Sequence, residues 1–128
     1  MLKVLIDTHV FLWYVTNNKQ LRDNHKIMIN ERENLVYLSQ ASIWEMAIKY
    51  SLRKLTFDTP FREFIQSQIQ INDFQVLPLN LLHFEQVAEL PFQHQDPFDR
   101  MIIAQAIAEN VPVISYDQVF DCYIVKRL

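Results

Sequence analysis

The chain contains no glycine among its 128 residues. Average usage of about 7% would give roughly nine. Glycine is required by the phosphate-binding loop of P-loop NTPases, by the dinucleotide-binding fingerprint and by the nucleophile elbow of α/β-hydrolases. The absence of glycine therefore excludes all three kinds of site. Any chemistry of this chain must come from side chains, chiefly from its 15 acidic residues.

Length and composition favour one globular domain, residues 1–128, because half of the residues are hydrophobic and can form a sizeable core. The net charge of −3 argues against a strongly basic protein that coats nucleic acid or a membrane surface. No apolar run reaches the roughly 18 residues of a membrane span, and the apolar start lacks a signal-peptide pattern. The single cysteine, Cys122, is expected to be a small packing residue and fits a reducing, cytoplasmic compartment.

Short apolar runs alternate with amphipathic segments along the chain. The runs suited to strands are residues 2–6, 35–39, 74–79 and 111–116, with a possible edge strand at 123–128. Helices are expected in the intervening segments, at residues 8–16, 20–33, 41–51, from Pro60 onward, at 80–90 and at 97–109. This alternation predicts a three-layer α/β domain, in which helices cover both faces of a short, mainly parallel sheet.

Acidic side chains follow two of the predicted strands. Asp7 ends the first apolar run, and Asp117 ends the fourth. In open α/β sheets, binding sites form at the carboxyl ends of the strands. An acid after a strand is often only a cap or a turn residue. Two acids at the same edge of one small sheet nevertheless favour a site.

The segment HQDPFDRM, residues 94–101, adds two acids at the start of a predicted helix. Asp96 is a suitable N-cap and Pro97 suits the first helical position, so Asp99 occupies the third. Capping and the helix dipole would by themselves explain both acids. The helix that follows is apolar enough to be central, so its start should lie near the functional edge. One acid could then cap the helix while the other points into a cleft.

Clustered carboxylates raise one another's pKa, and burying them costs free energy. A divalent cation offsets both effects, and Mg²⁺ or Mn²⁺ prefers oxygen ligands. Glu45 lies inside the predicted helix at 41–51, where it could face solvent or a polar pocket. Acids from two strand ends and two helices would build a Mg²⁺ (or Mn²⁺) site. Such a site can activate water and stabilise an in-line phosphoryl displacement.

Four segments of the chain, in this order, resemble the PIN-domain ribonucleases of the VapC type. They are LIDTHVFLW at 5–13, SIWEMAIKYSLRKL at 42–55, LPFQHQDPFDRMIIAQA at 90–106 and VISYDQVF at 113–120. The resemblance covers nearly the whole chain and implies a PIN-like fold. It also implies a cytosolic, metal-dependent endoribonuclease that acts on RNA, is commonly a homodimer and is held inactive by a cognate antitoxin.

The resemblance also suggests roles for individual residues. The residues that match the catalytic and metal-binding acids of the family are Asp7, Glu45, Asp99 and Asp117. Asp96 ranks lower, because helix capping accounts for it. Ser115 could orient Asp117 through a hydrogen bond, and Thr8, itself a plausible cap of the first helix, could do the same for Asp7. Where relatives often read GKL, this chain reads Arg53-Lys54-Leu55, so that turn must close without a left-handed glycine.

Other side chains could serve the site, although each also has an ordinary structural explanation. Phosphate contacts could come from Lys49, Arg53, Lys54 and Arg100. His9 and His94 could act as ligands or acid–base groups, but a packing role for His9 and a loop position for His94 are simpler.

Some aromatic residues could stack on bases, although core packing is expected for most of them. They are Phe11, Trp13 and Trp44. The predicted helix that begins at Pro60 carries an apolar stripe, which is expected to pack in the core or, where exposed, to form a groove for an antitoxin helix. Its residues are Phe61, Phe64, Ile65 and Ile69.

Two alternatives to a nuclease remain open. A PIN-fold module could bind RNA or protein without cutting, although the presence of all four acids argues against a decayed site. A phospho-receiver domain is also α/β with a Mg²⁺ site, but receivers carry paired acids after the first strand and a lysine after a late strand. Here Thr8 and His9 follow Asp7, and no lysine directly follows residues 111–116.

Overall fold

A sheet of four parallel strands forms the centre of the molecule. The strands of the computed structural model, which describes residues 1–128, are β1 (Lys3–Ile6), β2 (Leu35–Ser39), β3 (Gln75–Leu77) and β4 (Val113–Ile114). Their order across the sheet is β3-β2-β1-β4, and every pairing is parallel. All four carboxyl ends therefore lie at one edge, which is where the sequence predicts the acids to meet.

Helices connect the strands, because parallel neighbours need a crossover between them. They are α1 (Thr8–Val15), α2 (Asp23–Asn30), α3 (Gln40–Ser51), α4 (Phe61–Ile71), α5 (Leu81–Glu89) and α6 (Pro97–Glu109). A short 3₁₀ helix, Gln118–Cys122, follows β4. The predicted helix at 20–33 is shorter than expected. None of the helices combines the length and the hydrophobicity needed to cross a membrane.

Both faces of the sheet are buried, which confirms the predicted three-layer α/β class. Successive side chains of a strand point to opposite faces. Val4 and Ile6 of β1 accordingly belong to one apolar cluster and Leu5 to the other. In β4, Ile114 and Val113 divide in the same way. The apolar run at the start of the chain is therefore a strand that is covered on both sides.

Helix α6 is as central as its composition predicts. Seven consecutive residues, Arg100–Ala106, are buried. The carboxylate of Asp96 caps this helix, with Pro97 at its first position. At α1, however, the predicted cap is wrong: Asp7 is the N-cap and Thr8 is already helical. The cap of α1 is thus one of the acids predicted for the site.

The carboxyl-terminal segment differs from the expected edge strand at 123–128. Only an isolated bridge joins Arg127 to Val113. Two backbone hydrogen bonds hold the segment there: Val113 N–H donates to Lys126 O (2.9 Å) and Leu128 N–H donates to Val113 O (2.8 Å). Because β4 itself is only two residues long, no longer ladder can form. Cys122, expected to pack inside, is exposed.

The turn after α3 shows how the chain closes a left-handed turn without glycine. Arg53 adopts a φ of 59°, in the left-handed region. Such a conformation costs a residue with a β-carbon about 1–2 kcal/mol. The remaining left-handed positions, Asn17, Asp73 and Asn110, are residue types that tolerate it better.

Candidate metal centre

Three of the four predicted acids line one cleft at the carboxyl edge of the sheet. Asp7 directly follows β1, Asp117 lies in the turn after β4, and Asp99 lies in the first turn of α6. The cleft has a volume of about 270 Å³, and its other lining residues are His9, Trp13 and Tyr116. Residues that are far apart in the sequence therefore meet because the strands are parallel.

Asp7 is held rigidly at the base of the cleft. Its side chain is buried, and its Oδ1 accepts a hydrogen bond from Val10 N–H at 2.8 Å. Burial raises the pKa of Asp7 above its usual value of 3.8, and hydrogen bonds from Ser115 and Val10 partly oppose that rise. The negative charge of Glu45 raises the pKa further. An acid in such a position is ionised more easily when a cation is close.

Asp99 carries the most strongly perturbed carboxyl group of the cleft. Burial, followed by the negative charges of Asp96 and Asp7, raises the pKa of Asp99 from 3.8 to about 6. A hydrogen bond with His94 acts in the opposite direction. The mutual repulsion of these acids is the property that a divalent cation would relieve.

His94 lies in the loop before α6, as the sequence indicated, and contacts two of the acids at once. Its Nε2 lies 2.9 Å from Asp99 Oδ2 and 3.2 Å from Asp117 Oδ2. The potential ligand atoms of these three residues all lie within 4.8 Å of one another. The sequence signal was the position of His94 two residues before Asp96, but the contact with Asp117 depends on the fold.

The two acids of the DPFD segment have separate roles, as the sequence allowed. Asp96 Oδ1 accepts hydrogen bonds from Phe98 N–H (2.8 Å) and Asp99 N–H (3.1 Å) and so caps α6. The side chain of Asp99 instead turns toward His94. Helix capping thus explains the position of Asp96. It does not explain the orientation of the Asp99 carboxylate, which faces His94 in the cleft.

Glu45 lies beside the cleft and is fully engaged by neighbours. It is 5% exposed. Thr8 Oγ1 donates a hydrogen bond to Glu45 Oε1 at 2.7 Å, and Ser42 Oγ lies 2.9 Å from the same hydroxyl oxygen. Lys49 Nζ is 3.0 Å from Glu45 Oε2. The expectation that Thr8 orients Asp7 is therefore wrong, because its hydroxyl group orients Glu45.

Ser115 connects the ends of β1 and β4. Its Oγ accepts a hydrogen bond from the backbone N–H of Asp117 at 3.1 Å. It also contacts the carboxylate of Asp7 through a hydrogen bond. The Asp117 carboxylate is oriented by Val119 N–H, which donates to its Oδ1 at 3.0 Å. Ser115 thus fixes the backbone of Asp117 rather than its side chain.

The basic residues expected near phosphate differ in their surroundings. Arg100 is buried, and its guanidinium group donates to the carbonyl oxygens of Pro91 (3.0 Å) and Leu90 (3.1 Å). It therefore holds the loop before α6 and is not available to phosphate, which corrects the sequence interpretation. Lys49 is paired with Glu45, while Arg53 and Lys54 are exposed at the end of α3.

The aromatic residues also differ from the general expectation of core packing. Phe11 is fully buried, as expected. Trp13 is half-buried and meets Tyr116 edge to face at 5.1 Å, so both rings line the cleft. Trp44 is 60% exposed and rests against the ring of Phe98 at the start of α6. Exposed aromatic surface thus lies where α3 meets the start of α6.

The donor set of the cleft fits a hard divalent cation. The carboxylates of Asp99 and Asp117 converge, and the buried Asp7 lies in the same cleft. Oxygen donors of this kind suit Mg²⁺ or Mn²⁺, which bind a few carboxylates and retain water ligands. Cys122, the single cysteine, is exposed on the 3₁₀ helix and does not line the cleft.

Fold and cleft together define an α/β domain with a cluster of acidic side chains at the carboxyl edge of a parallel sheet. The chain belongs to the PIN-domain family, because the sequence model of the PIN domain matches residues 4–123. This confirms the family that the four sequence segments indicated, in place of a phospho-receiver domain. No curated protein matches the chain in sequence.

Solved structures of low sequence identity share the fold. A chain of VapBC2 from Rickettsia felis, bound to a promoter DNA fragment, superposes with a TM-score of 0.72 at 15% identity, over 99% of this chain and 98% of that chain. A chain of DNA-bound VapBC from Salmonella typhimurium gives 0.68 at 18% identity, over 100% and 98%. FitAcB from Neisseria gonorrhoeae gives 0.65 at 15% identity, over 98% and 96%.

Proposed function

We propose that this protein is a metal-dependent endoribonuclease and the toxin of a toxin–antitoxin pair, located in the cytoplasm. The observation that carries the proposal is the convergence of Asp7, Asp99 and Asp117 on one cleft of a PIN domain, with Glu45 beside it. The reaction is hydrolysis of an RNA phosphodiester bond. A covalent intermediate with the enzyme is not required, since the acids serve a cation and not a nucleophile.

The residues that would hold Mg²⁺ or Mn²⁺ are Asp7, Asp99, Asp117 and Glu45, directly or through water. A divalent cation bound there would lower the pKa of a water molecule and stabilise the charge that develops on the phosphoryl oxygens. The chain itself supplies orientation. Val10 N–H fixes one oxygen of Asp7, and Val119 N–H fixes one oxygen of Asp117. Groups fixed in this way need little reorganisation during the reaction.

An RNA substrate is supported by the surroundings of the acids. Arg53 and Lys54 are exposed at the end of the helix that carries Glu45, where they can contact the phosphate backbone. Trp13 and Tyr116 present ring surface to the cleft itself. An acidic cleft of about 270 Å³ with aromatic walls suits one phosphodiester and an adjacent base better than a rigid duplex.

A cognate antitoxin is the proposed protein partner. An apolar groove lies between α3 and α4, and its hydrophobic lining residues are Ile43, Phe61, Ile65 and Ile69. The predicted stripe on α4 is thus divided: Ile65 is buried, and the others are only partly buried. The groove suits the apolar face of an antitoxin helix. A homodimer is also proposed, for which exposed Leu81 and Phe84, one turn apart on α5, offer an apolar contact.

Cleavage of total cellular RNA by the purified chain tests the proposal. We expect discrete fragments with Mg²⁺ or Mn²⁺ and none with EDTA. Asp7→Asn should abolish cleavage without unfolding the chain, because the amide oxygen can still accept from Val10 N–H while a buried charge is removed. Asp58→Asn, at an exposed acid away from the cleft, is the matched control and should cut normally.

Three outcomes would contradict this function. Cleavage that persists in EDTA, or in Asp7→Asn at the wild-type rate, would rule out the acidic centre as the active site. A wild-type chain that binds Mn²⁺ but cuts no RNA under any condition would instead favour the alternative, a PIN-fold module that binds RNA or protein without cutting it.

A further inference from the structure

The imidazole of His94 contacts the carboxylates of two acids from different elements of the cleft, Asp99 and Asp117. Its surroundings fix it from several sides. The Tyr123 hydroxyl oxygen accepts a hydrogen bond from the His94 backbone N–H at 2.8 Å. The imidazole ring meets the ring of Phe120 edge to face, with a centroid separation of 6.3 Å. The ring is half-buried, with 15% of its side chain exposed.

The contacts of the ring show how it faces the two carboxylates. The backbone N–H of Asp96 donates to Nδ1 at 3.4 Å. Nε2 points at the carboxylates, with Asp99 Oδ2 at 2.9 Å and Asp117 Oδ2 at 3.2 Å. One nitrogen atom therefore contacts two acids.

Asp99 and Asp117 have no direct hydrogen bond with each other, and they repel when ionised. Asp99 belongs to the start of α6, whereas Asp117 belongs to the turn after β4. Their carboxylates share one partner, the Nε2 of His94. Groups that hydrogen-bond to metal ligands fix the orientation of those ligands and typically change metal affinity by about 10–100-fold when removed.

We propose that His94 is a positioning residue that holds Asp99 and Asp117 at the spacing needed to bind a divalent cation, without being a ligand itself. This inference rests on the proposed function. The Nε2 of His94 lies within hydrogen-bond distance of both carboxylates, and the proposed ligand set consists of oxygen atoms. The histidine thus stabilises the arrangement of two acids that would otherwise move apart.

Titration of the purified chain with Mn²⁺, followed by electron paramagnetic resonance, tests this role without depending on cleavage. His94→Leu should weaken Mn²⁺ binding by about 10–100-fold. His94→Gln, whose side-chain amide offers an N–H in a similar place, should recover part of the affinity. Gln95→Leu is the matched control, because Gln95 is exposed next to His94 in the same loop and does not line the cleft. Urea unfolding should show that all three variants remain folded.

Several results would overturn the inference. Unchanged or tighter Mn²⁺ binding by His94→Leu would mean that the histidine does not position the acids. A His94→Gln variant as weak as His94→Leu would indicate packing and not hydrogen bonding. A directly bonded nitrogen in the spin-echo spectrum of the wild-type Mn²⁺ complex would make His94 a ligand. A wild-type chain that binds no Mn²⁺ would remove the proposed metal-dependent function together with this inference.

Discussion

Replacing Arg100 by methionine separates a structural role from a substrate-binding role. The guanidinium group is buried and donates two short hydrogen bonds, to Pro91 O at 3.0 Å and to Leu90 O at 3.1 Å. Methionine fills a similar volume but donates nothing, so both carbonyl groups lose their charged partner. At about 1.5 kcal/mol for each charge-assisted bond, the loss is about 3 kcal/mol. For 128 residues this lowers the midpoint of thermal unfolding by about 10 °C.

Urea unfolding of Arg100→Met, followed by circular dichroism, measures this loss. Arg62→Met, at an exposed arginine on α4, is the matched control and should change the free energy of unfolding by less than about 0.5 kcal/mol. If Arg100 instead contacted phosphate, Arg100→Met would keep wild-type stability. It would weaken RNA binding and reduce the slope of its salt dependence by about one. That combination would refute the structural role assigned to Arg100.

Three further predictions follow from individual contacts. The folded-state pKa of Asp99, about 6, exceeds its unfolded value of 3.8, so the folded state binds the proton more tightly. The free energy of unfolding of the metal-free chain should therefore fall as pH rises from about 4 through 6, and a profile unchanged in Asp99→Asn would contradict this. Thr8→Val removes the hydroxyl donor to Glu45 and should lower the free energy of unfolding in urea by about 1.5 kcal/mol; wild-type stability would refute the contact. Arg53→Gly should raise the free energy of unfolding by about 1 kcal/mol, because glycine adopts the left-handed φ of this position without strain. Lys54→Gly should lower the free energy of unfolding, and the opposite order of the two variants would be inconsistent with the turn geometry.

Much of the fold follows from local patterns in the sequence. The alternation of short apolar runs with amphipathic segments predicted the three layers. The apolar composition of α6 predicted its central position. Acids after strands were informative because parallel strands end at one edge: Asp7 directly follows β1, and Asp117 lies in the turn after β4. The ends of elements were less predictable. The run at 111–116 yields a strand of only two residues, Val113–Ile114.

The partners of the site residues could not be read from the sequence, because they depend on distances between separate elements. Thr8 was assigned to its neighbour Asp7, but its hydroxyl group reaches Glu45, which is 37 positions away. Arg100 next to Asp99 suggested a phosphate contact, yet helix geometry directs neighbouring side chains about 100° apart, and Arg100 faces the loop before α6. His94 contacts Asp117 only because α6 begins beside the end of β4.

The proposed function requires that the acids of the cleft, including Asp99 at the start of α6, hold a divalent cation on which RNA cleavage depends. The most direct measurement compares Mn²⁺ binding with the rate of RNA cleavage over the same range of Mn²⁺ concentrations, in the wild-type chain and in Asp99→Asn. We predict that the midpoints of binding and cleavage coincide in the wild type. Both should shift to higher Mn²⁺ concentration, or disappear, in the variant. Cleavage by Asp99→Asn at the wild-type rate and midpoint, or cleavage without any bound cation, would contradict the claim.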